Sequence, residues 1–213
     1  MAPKPMNDVP FTVFVVDDDD GIRVSLERAL SMRGYRVETY DSARSFLESL
    51  GGDRPGCLVL DYGMPGMNGL ELQQYLNAHE IRLPIIFITG HGGVPESVQA
   101  IKGGALDFLE KPFPQSALAE RIDAAFEIIR SQISADRSQR EKQARLDSLT
   151  AREREIVRLF VERPAETSSK EVAAHFGISP RTVDHHRARI LEKLEVKSLA
   201  ELIALVRPAD IAR

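Results

Sequence analysis

Cysteine occurs once in the 213 residues, as Cys57. A single thiol excludes an internal disulfide framework and a cysteine-rich zinc centre, so nothing in the composition requires an oxidising compartment. Long apolar runs are missing too: no stretch approaches the roughly 18 residues that span a bilayer. The start, MAPKPMNDVP, leads into a short apolar run that stops at four aspartates, unlike the core and cleavage site of a signal peptide. A soluble, cytoplasmic protein without membrane contact is expected. Aromatic residues are scarce at 6%, but an apolar content of 43% excludes disorder throughout and suits one large domain or two modest ones.

A charge excess of one sign is also lacking, since 28 basic and 32 acidic side chains leave −4. That average hides an asymmetry. Residues 1–130 hold 12 basic and 19 acidic side chains, net −7, whereas 131–213 hold 16 and 13, net +3. Two domains with different partners are implied.

From Phe11 to about Ile133, short β-rich runs alternate with helical patterns, the signature of a parallel sheet with crossover helices. The strands are FTVFVV, RVETY, CLVL, PIIFI and DFLE, and their nearly unbroken apolar character suits strands buried on both faces. Helices are expected over Ile22–Met32, Ala43–Leu50, Leu70–His79 and Pro95–Ile101, with a fifth beginning near Gln115. In that fifth helix Leu118, Ile122, Ala125, Phe126, Ile129 and Ile133 form a stripe that covers its own sheet or packs on a partner's helix. From Ser134 to Asp147 the chain turns polar and charge-mixed, as a linker does.

Ligands of a doubly wound sheet sit beyond the carboxyl ends of the strands, where the loops converge. The polar residues of this domain gather there: Asp17 and Asp18 after the first strand, Asp61 after the third, Thr89 after the fourth and Lys111 after the fifth. The peptide between Lys111 and Pro112 has an appreciable cis population. Adjacent carboxylates repel unless a cation sits among them. Mg²⁺, which takes one or two carboxylates, several waters and a phosphate, fits better than Ca²⁺, for which no multi-oxygen loop is present. Carboxylate, metal, hydroxyl and ammonium together suit phosphoryl transfer onto a carboxylate. Asp61 would be the nucleophile, and being ionised near neutral pH it needs no general base.

Beyond the linker the pattern is purely helical. Thr150 with Glu153, Ser168 with Glu171, and Ser198 with Glu201 have capping-box spacing. Ser179-Pro180 marks a further helix start, and Gly177 is placed to end the helix before it. Helix, glycine turn and helix over residues 169–188 form a helix-turn-helix. Arg181, Asp184, His185 and Ala188 share the side opposite the apolar Val183, with Arg187, Arg189 and Lys193 around the edges, and Thr182 is a further candidate DNA contact. Such a helix suits a major groove, with Arg and Lys on phosphates and central side chains on base edges.

The blocks VVDDDDGIR, LVLDYGMPGMNG, FITGHG and DFLEKPF resemble those of a two-component receiver domain over about residues 11–127. The resemblance implies that Asp61 is the phosphoacceptor and that Asp18, Asp61 and the Gly63 carbonyl bind Mg²⁺, with Asp17 assisting through water. It assigns Thr89 and Phe108 as the switch pair and Lys111 as the phosphate contact, and leaves Asp19 and Asp20 solvated. His91 reads either as a proton relay or as a solvated loop residue. LTAREREIVRLF, KEVAAHFGISPRTVDHHRARILEKL and KSLAELIAL are similar to the LuxR-type DNA-binding domain, and the receiver resembles the FixJ-like subgroup.

Two departures stand out. ERPAETSS is about three residues longer than the usual turn before the scaffold helix. Asp184 faces outward, where it either accepts from a cytosine N4 or holds a neighbouring arginine. The helix Leu199–Val206 completes the small core, pairs two such domains, or both.

The expected fold is an N-terminal extension (1–10), a flavodoxin-like receiver with a doubly wound five-stranded parallel sheet (11–127), a helical extension and linker (128–147) and a small all-α helix-turn-helix domain (148–208). The expected function is a phosphorylation-dependent transcription regulator and not an enzyme. Its partners would be a sensor histidine kinase, promoter DNA, RNA polymerase and a second copy of the chain. An interaction module that does not bind DNA is the alternative. An aspartyl-phosphate phosphatase is disfavoured, because Gly63 stands where such hydrolases carry a second acid.

Overall fold

The computed structural model describes residues 11–51, 54–90 and 94–211. The N-terminal extension and His91 lie outside the described residues. The chain divides into two compact units, Met1–Gln132 and Ile133–Arg213.

The first unit alternates strand and helix: β1 (Thr12–Val16), α1 (Asp20–Ser31), β2 (Arg36–Tyr40), α2 (Ala43–Ser49), β3 (Gly56–Asp61), α3 (Gly69–Ala78), β4 (Ile85–Thr89), α4 (Val94–Lys102), β5 (Asp107–Glu110) and the start of α5 (Gln115–Asp147). All pairings are parallel, in the order β2-β1-β3-β4-β5. This is the flavodoxin-like doubly wound sheet, whose strand order reverses between β1 and β3. Strands β1, β3 and β4 are buried along their whole length, which explains their unbroken apolar sequence.

Alternate side chains divide the core between the two sheet faces. Val13, Val15, Val59, Ile86 and Ile88 meet α1 and α5 on one side. Phe14, Leu58, Leu60 and Phe87 meet α2, α3 and α4 on the other. The α5 stripe covers its own sheet from Leu118 to Ile129, while Ile133 is 44% exposed.

The segment read as a linker is helical to Asp147. It holds neither proline nor glycine, and side chains four residues apart support it: Arg137 pairs with Glu141 at 2.8 Å and Gln143 donates to Asp147 at 2.9 Å. Its last turns belong to the second unit's core, where Leu146 is buried and Lys142 pairs with Asp210 at 2.6 Å.

The second unit continues with α6 (Ala151–Glu162), α7 (Ser169–Phe176), α8 (Pro180–Lys193), α9 (Leu199–Leu205) and a 3₁₀ turn at Pro208–Ile211. Ile156, Phe160, Val172, Val183, Ile190, Leu194 and Leu202 form one small core. Thr150 with Glu153 and Ser168 with Glu171 make full capping boxes. Ser198 caps α9, but Glu201 accepts from the Lys197 amide, so the third box is only half made. Gly177 ends α7 at φ 64°, a left-handed conformation in which a Cβ is strained. Leu202 and Val206 are buried, so α9 completes this core.

No described helix is long and apolar enough to cross a membrane.

Candidate functional site

The ends of β1 and β3 flank the point where the strand order reverses, and the first unit's buried acids lie there. Asp17 directly follows β1 and Asp61 is the last residue of β3; both are buried. Lys111, just after β5, reaches back so that its Nζ donates to Asp17 Oδ2 and Asp61 Oδ1 at 2.7 Å each. The other oxygen of Asp61 accepts from the Gly63 amide at 2.8 Å. Burial pushes the Asp17 carboxyl above its usual range, and the Lys111 ammonium and the Asp19 amide offset this only in part. Burial acts on Lys111 in the opposite sense, but its two carboxylates outweigh it and hold the ammonium above its ordinary value.

The four consecutive aspartates do different work. Asp18 is exposed, and Asp17, Asp18 and Asp61 form no closed metal cage among the described residues. Asp19 is not merely solvated: it caps α1, accepting from the Ile22 amide at 3.1 Å. Asp20 pairs with Arg23 at 2.8 Å. Arg23, not singled out in the sequence, also donates to the Asp17 carbonyl at 2.8 Å and so ties α1 to the strand end. The only signal for it was its place one turn into the helix after the acidic run.

Gly69 fits the first turn of α3 against this site. A Cβ there would lie 2.5 Å from the Asp61 carbonyl oxygen and 2.8 Å from the Phe87 ring. Thr89 ends β4 and is 3% exposed. Phe108 pairs with Phe87 across β4 and β5, their rings 6.4 Å apart, so it lies one step back from Thr89 on the same sheet face. The Lys111–Pro112 peptide is cis.

In the second unit, Val183, Ile190 and Leu194 anchor α8, and the opposite face exposes Arg181, Thr182, Asp184, His185, Ala188 and Arg189. Two of the basic residues expected at the edges turn inward. Lys193 pairs with the buried Glu153 at 2.6 Å and donates to the Ser148 carbonyl at 3.0 Å. Arg187 donates to Ser169 Oγ at 3.0 Å, its guanidinium lying 5.5 Å from the centre of the Phe160 ring. Both are half-buried braces of α8, because a buried carboxylate and a buried ring lie within their reach. Asp184 holds no arginine directly: its Oδ1 accepts from Ser169 Oγ at 2.5 Å. Ser169, the first residue of α7, was another residue that sequence reasoning missed, because its partners lie 15 and 18 positions away.

Residues 13–123 match the family described as Response regulator receiver domain, and residues 147–206 match the bacterial regulatory proteins of the luxR family. The transcriptional regulatory protein FixJ of Bradyrhizobium diazoefficiens is 38% identical over 199 residues, covering 93% of this chain and 96% of that protein. The transcriptional regulatory protein TdiR of Thauera aromatica is 42% identical over 198 residues, covering 92% and 85%. The solved structure of the response regulator StyR matches with a TM-score of 0.81 at 42% identity, covering 91% of this chain and 96% of that one. Both family signatures occur in this order, and the relatives align along nearly the whole length; the chain therefore belongs to the FixJ-like response regulators, phosphorylation-dependent regulators of transcription.

Proposed function

We propose that Asp61 accepts a phosphoryl group from a sensor histidine kinase and that the C-terminal helix-turn-helix then binds promoter DNA. Residues 11–127 act as the receiver, 128–147 as its helical extension and 148–208 as the DNA-binding domain. One observation carries the receiver assignment: Lys111 Nζ lies 2.7 Å from Asp61 at the carboxyl edge of the sheet, with the Thr89 strand end alongside. In the reaction an Asp61 oxygen bonds to phosphorus as the phosphorus–nitrogen bond of the kinase phosphohistidine breaks, its electron pair leaving with the imidazole. Lys111 neutralises the incoming phosphoryl oxygens, and the Thr89 hydroxyl donates to one of them. Inward rotation of Phe108 into the space Thr89 leaves would reshape the surface around α4, β5 and α5.

The donor set suits Mg²⁺. Two buried carboxylates, Asp17 and Asp61, share one ammonium, and the exposed Asp18 follows Asp17 directly in the chain. Asp18, Asp61 and the Gly63 carbonyl would hold the ion, with Asp17 acting through water; the ion supplies charge neutralisation at the phosphoryl group. Substrate turnover is not expected. Gly63, in the position of a hydrolase's second acid, gives Asp61 an amide donor instead.

Arg181, Thr182, Asp184, His185, Ala188 and Arg189 form the DNA-facing surface, and Arg187 and Lys193 shape it. A single helix-turn-helix reads only a half-site, so a homodimer on DNA follows, with RNA polymerase as its partner at the promoter. The protein works in the cytoplasm. Incubation with a small phosphodonor should give acid-labile label on the wild type and none on Asp61→Asn. Full labelling of the variant would refute the assignment.

A further inference from the structure

We propose that Ser169 sets the sequence preference of α8 by holding Asp184 as an acceptor for the amino group of one cytosine in the half-site. The proposal rests on the DNA-binding reading above. Asp184 is the first acid of α8 and stands on its exposed face beside Arg181, His185 and Ala188. A carboxylate there repels DNA phosphates unless it meets a donor. Ser169 supplies part of the answer through a directional chain that starts in the core. Phe160 is fully buried, the Arg187 guanidinium lies over its ring, Arg187 Nη1 donates to Ser169 Oγ, and Ser169 Oγ donates its one proton to Asp184 Oδ1.

Ser169 is itself fixed. It follows the N-cap Ser168, whose capping box with Glu171 is complete. The arginine's charge therefore reaches Asp184 only through a hydroxyl, which orients the carboxylate without consuming it. The bond from Ser169 falls on Oδ1.

An oriented, acceptor-only group in the major groove discriminates among bases. Guanine presents two acceptors there, thymine an acceptor and a methyl group, and adenine an acceptor beside its amino group; cytosine N4 presents a donor alone. Ala188, one turn along the same face, has no long side chain to keep α8 from the base edges.

The test is selection from a randomised DNA library by the full-length protein, reading base preference position by position, with thermal unfolding of each variant alongside. The wild type should prefer cytosine about tenfold at one half-site position. Asp184→Asn should move that position toward adenine, whose N6 and N7 suit an amide, and leave the others unchanged. Ser169→Ala should weaken the cytosine preference at that one position, with at most a small fall in melting temperature from the lost Arg187 bond, and Ser169→Thr should restore it. A selective wild type whose preferences survive both Asp184→Asn and Ser169→Ala would overturn the proposal. So would a loss spread evenly over all positions with a lowered melting temperature, which marks a structural brace. A wild type that selects no sequence would overturn the DNA-binding reading itself.

Discussion

Glu153 and Lys193 illustrate how one residue can carry two meanings in a sequence. Thr150 and Glu153 were legible as a capping box, and Glu153 does accept from the Thr150 amide at 2.8 Å. Its second bond, to Lys193, was not legible, because 40 residues separate the two and Lys193 reads equally well as a phosphate contact. Burial pushes the Glu153 carboxyl up, but Lys193 and Thr150 outweigh it and hold the group below the usual glutamate range. A depressed folded-state value means that this stabilisation is present above the ordinary glutamate pKa of about 4.3 and is lost as pH falls through the folded value. Denaturation followed by circular dichroism should therefore show a stability loss below about pH 4.3 that Glu153→Gln flattens. An unchanged slope would contradict the pairing. The strand-end residues Asp17, Asp61, Thr89 and Lys111 were legible because position alone places them; Arg23 and Ser169 were not, because contacts between elements give them their roles.

At the scale of elements, all five strands were read close to their observed bounds: burial on both faces gives β1, β3 and β4 a strong apolar signal, and β2 and β5, only partly buried, are short β-rich runs between helical patterns. The fifth helix was legible as a helical extension, but not how far it runs without a break. Its polar stretch from 134 to 147 resembled a linker because pattern reading weighs apolar periodicity, whereas this helix is supported by propensity and by pairs such as Arg137 and Glu141. Proline at position 139 should test this, costing about 3 kcal/mol in a helix interior. Gln139→Pro should reduce ellipticity at 222 nm and leave tyrosine fluorescence unaltered, because all four tyrosines lie between Tyr35 and Tyr75 in the first unit. Unchanged ellipticity would contradict a continuous helix.

For the whole molecule, the net charge of −4 divides between units with opposite electrostatic tasks. The first unit gathers two buried acids around one lysine at the carboxyl edge of its sheet, where a cation and a phosphoryl group are proposed to bind. The second has an excess of only +3 beyond residue 130, and two of its cations brace α8 from within. On the proposed DNA-binding reading, affinity would draw on the exposed Arg181 and Arg189 and on pairing with a second copy more than on net charge. The central claim is that phosphorylation of Asp61 governs where this protein binds DNA. Mapping of occupied DNA across the genome, in cells carrying the wild type or Asp61→Asn, tests it most directly. Discrete sites sharing one motif, occupied by the wild type under the inducing condition and largely lost in the variant, are predicted; equal occupancy by both proteins would contradict the claim.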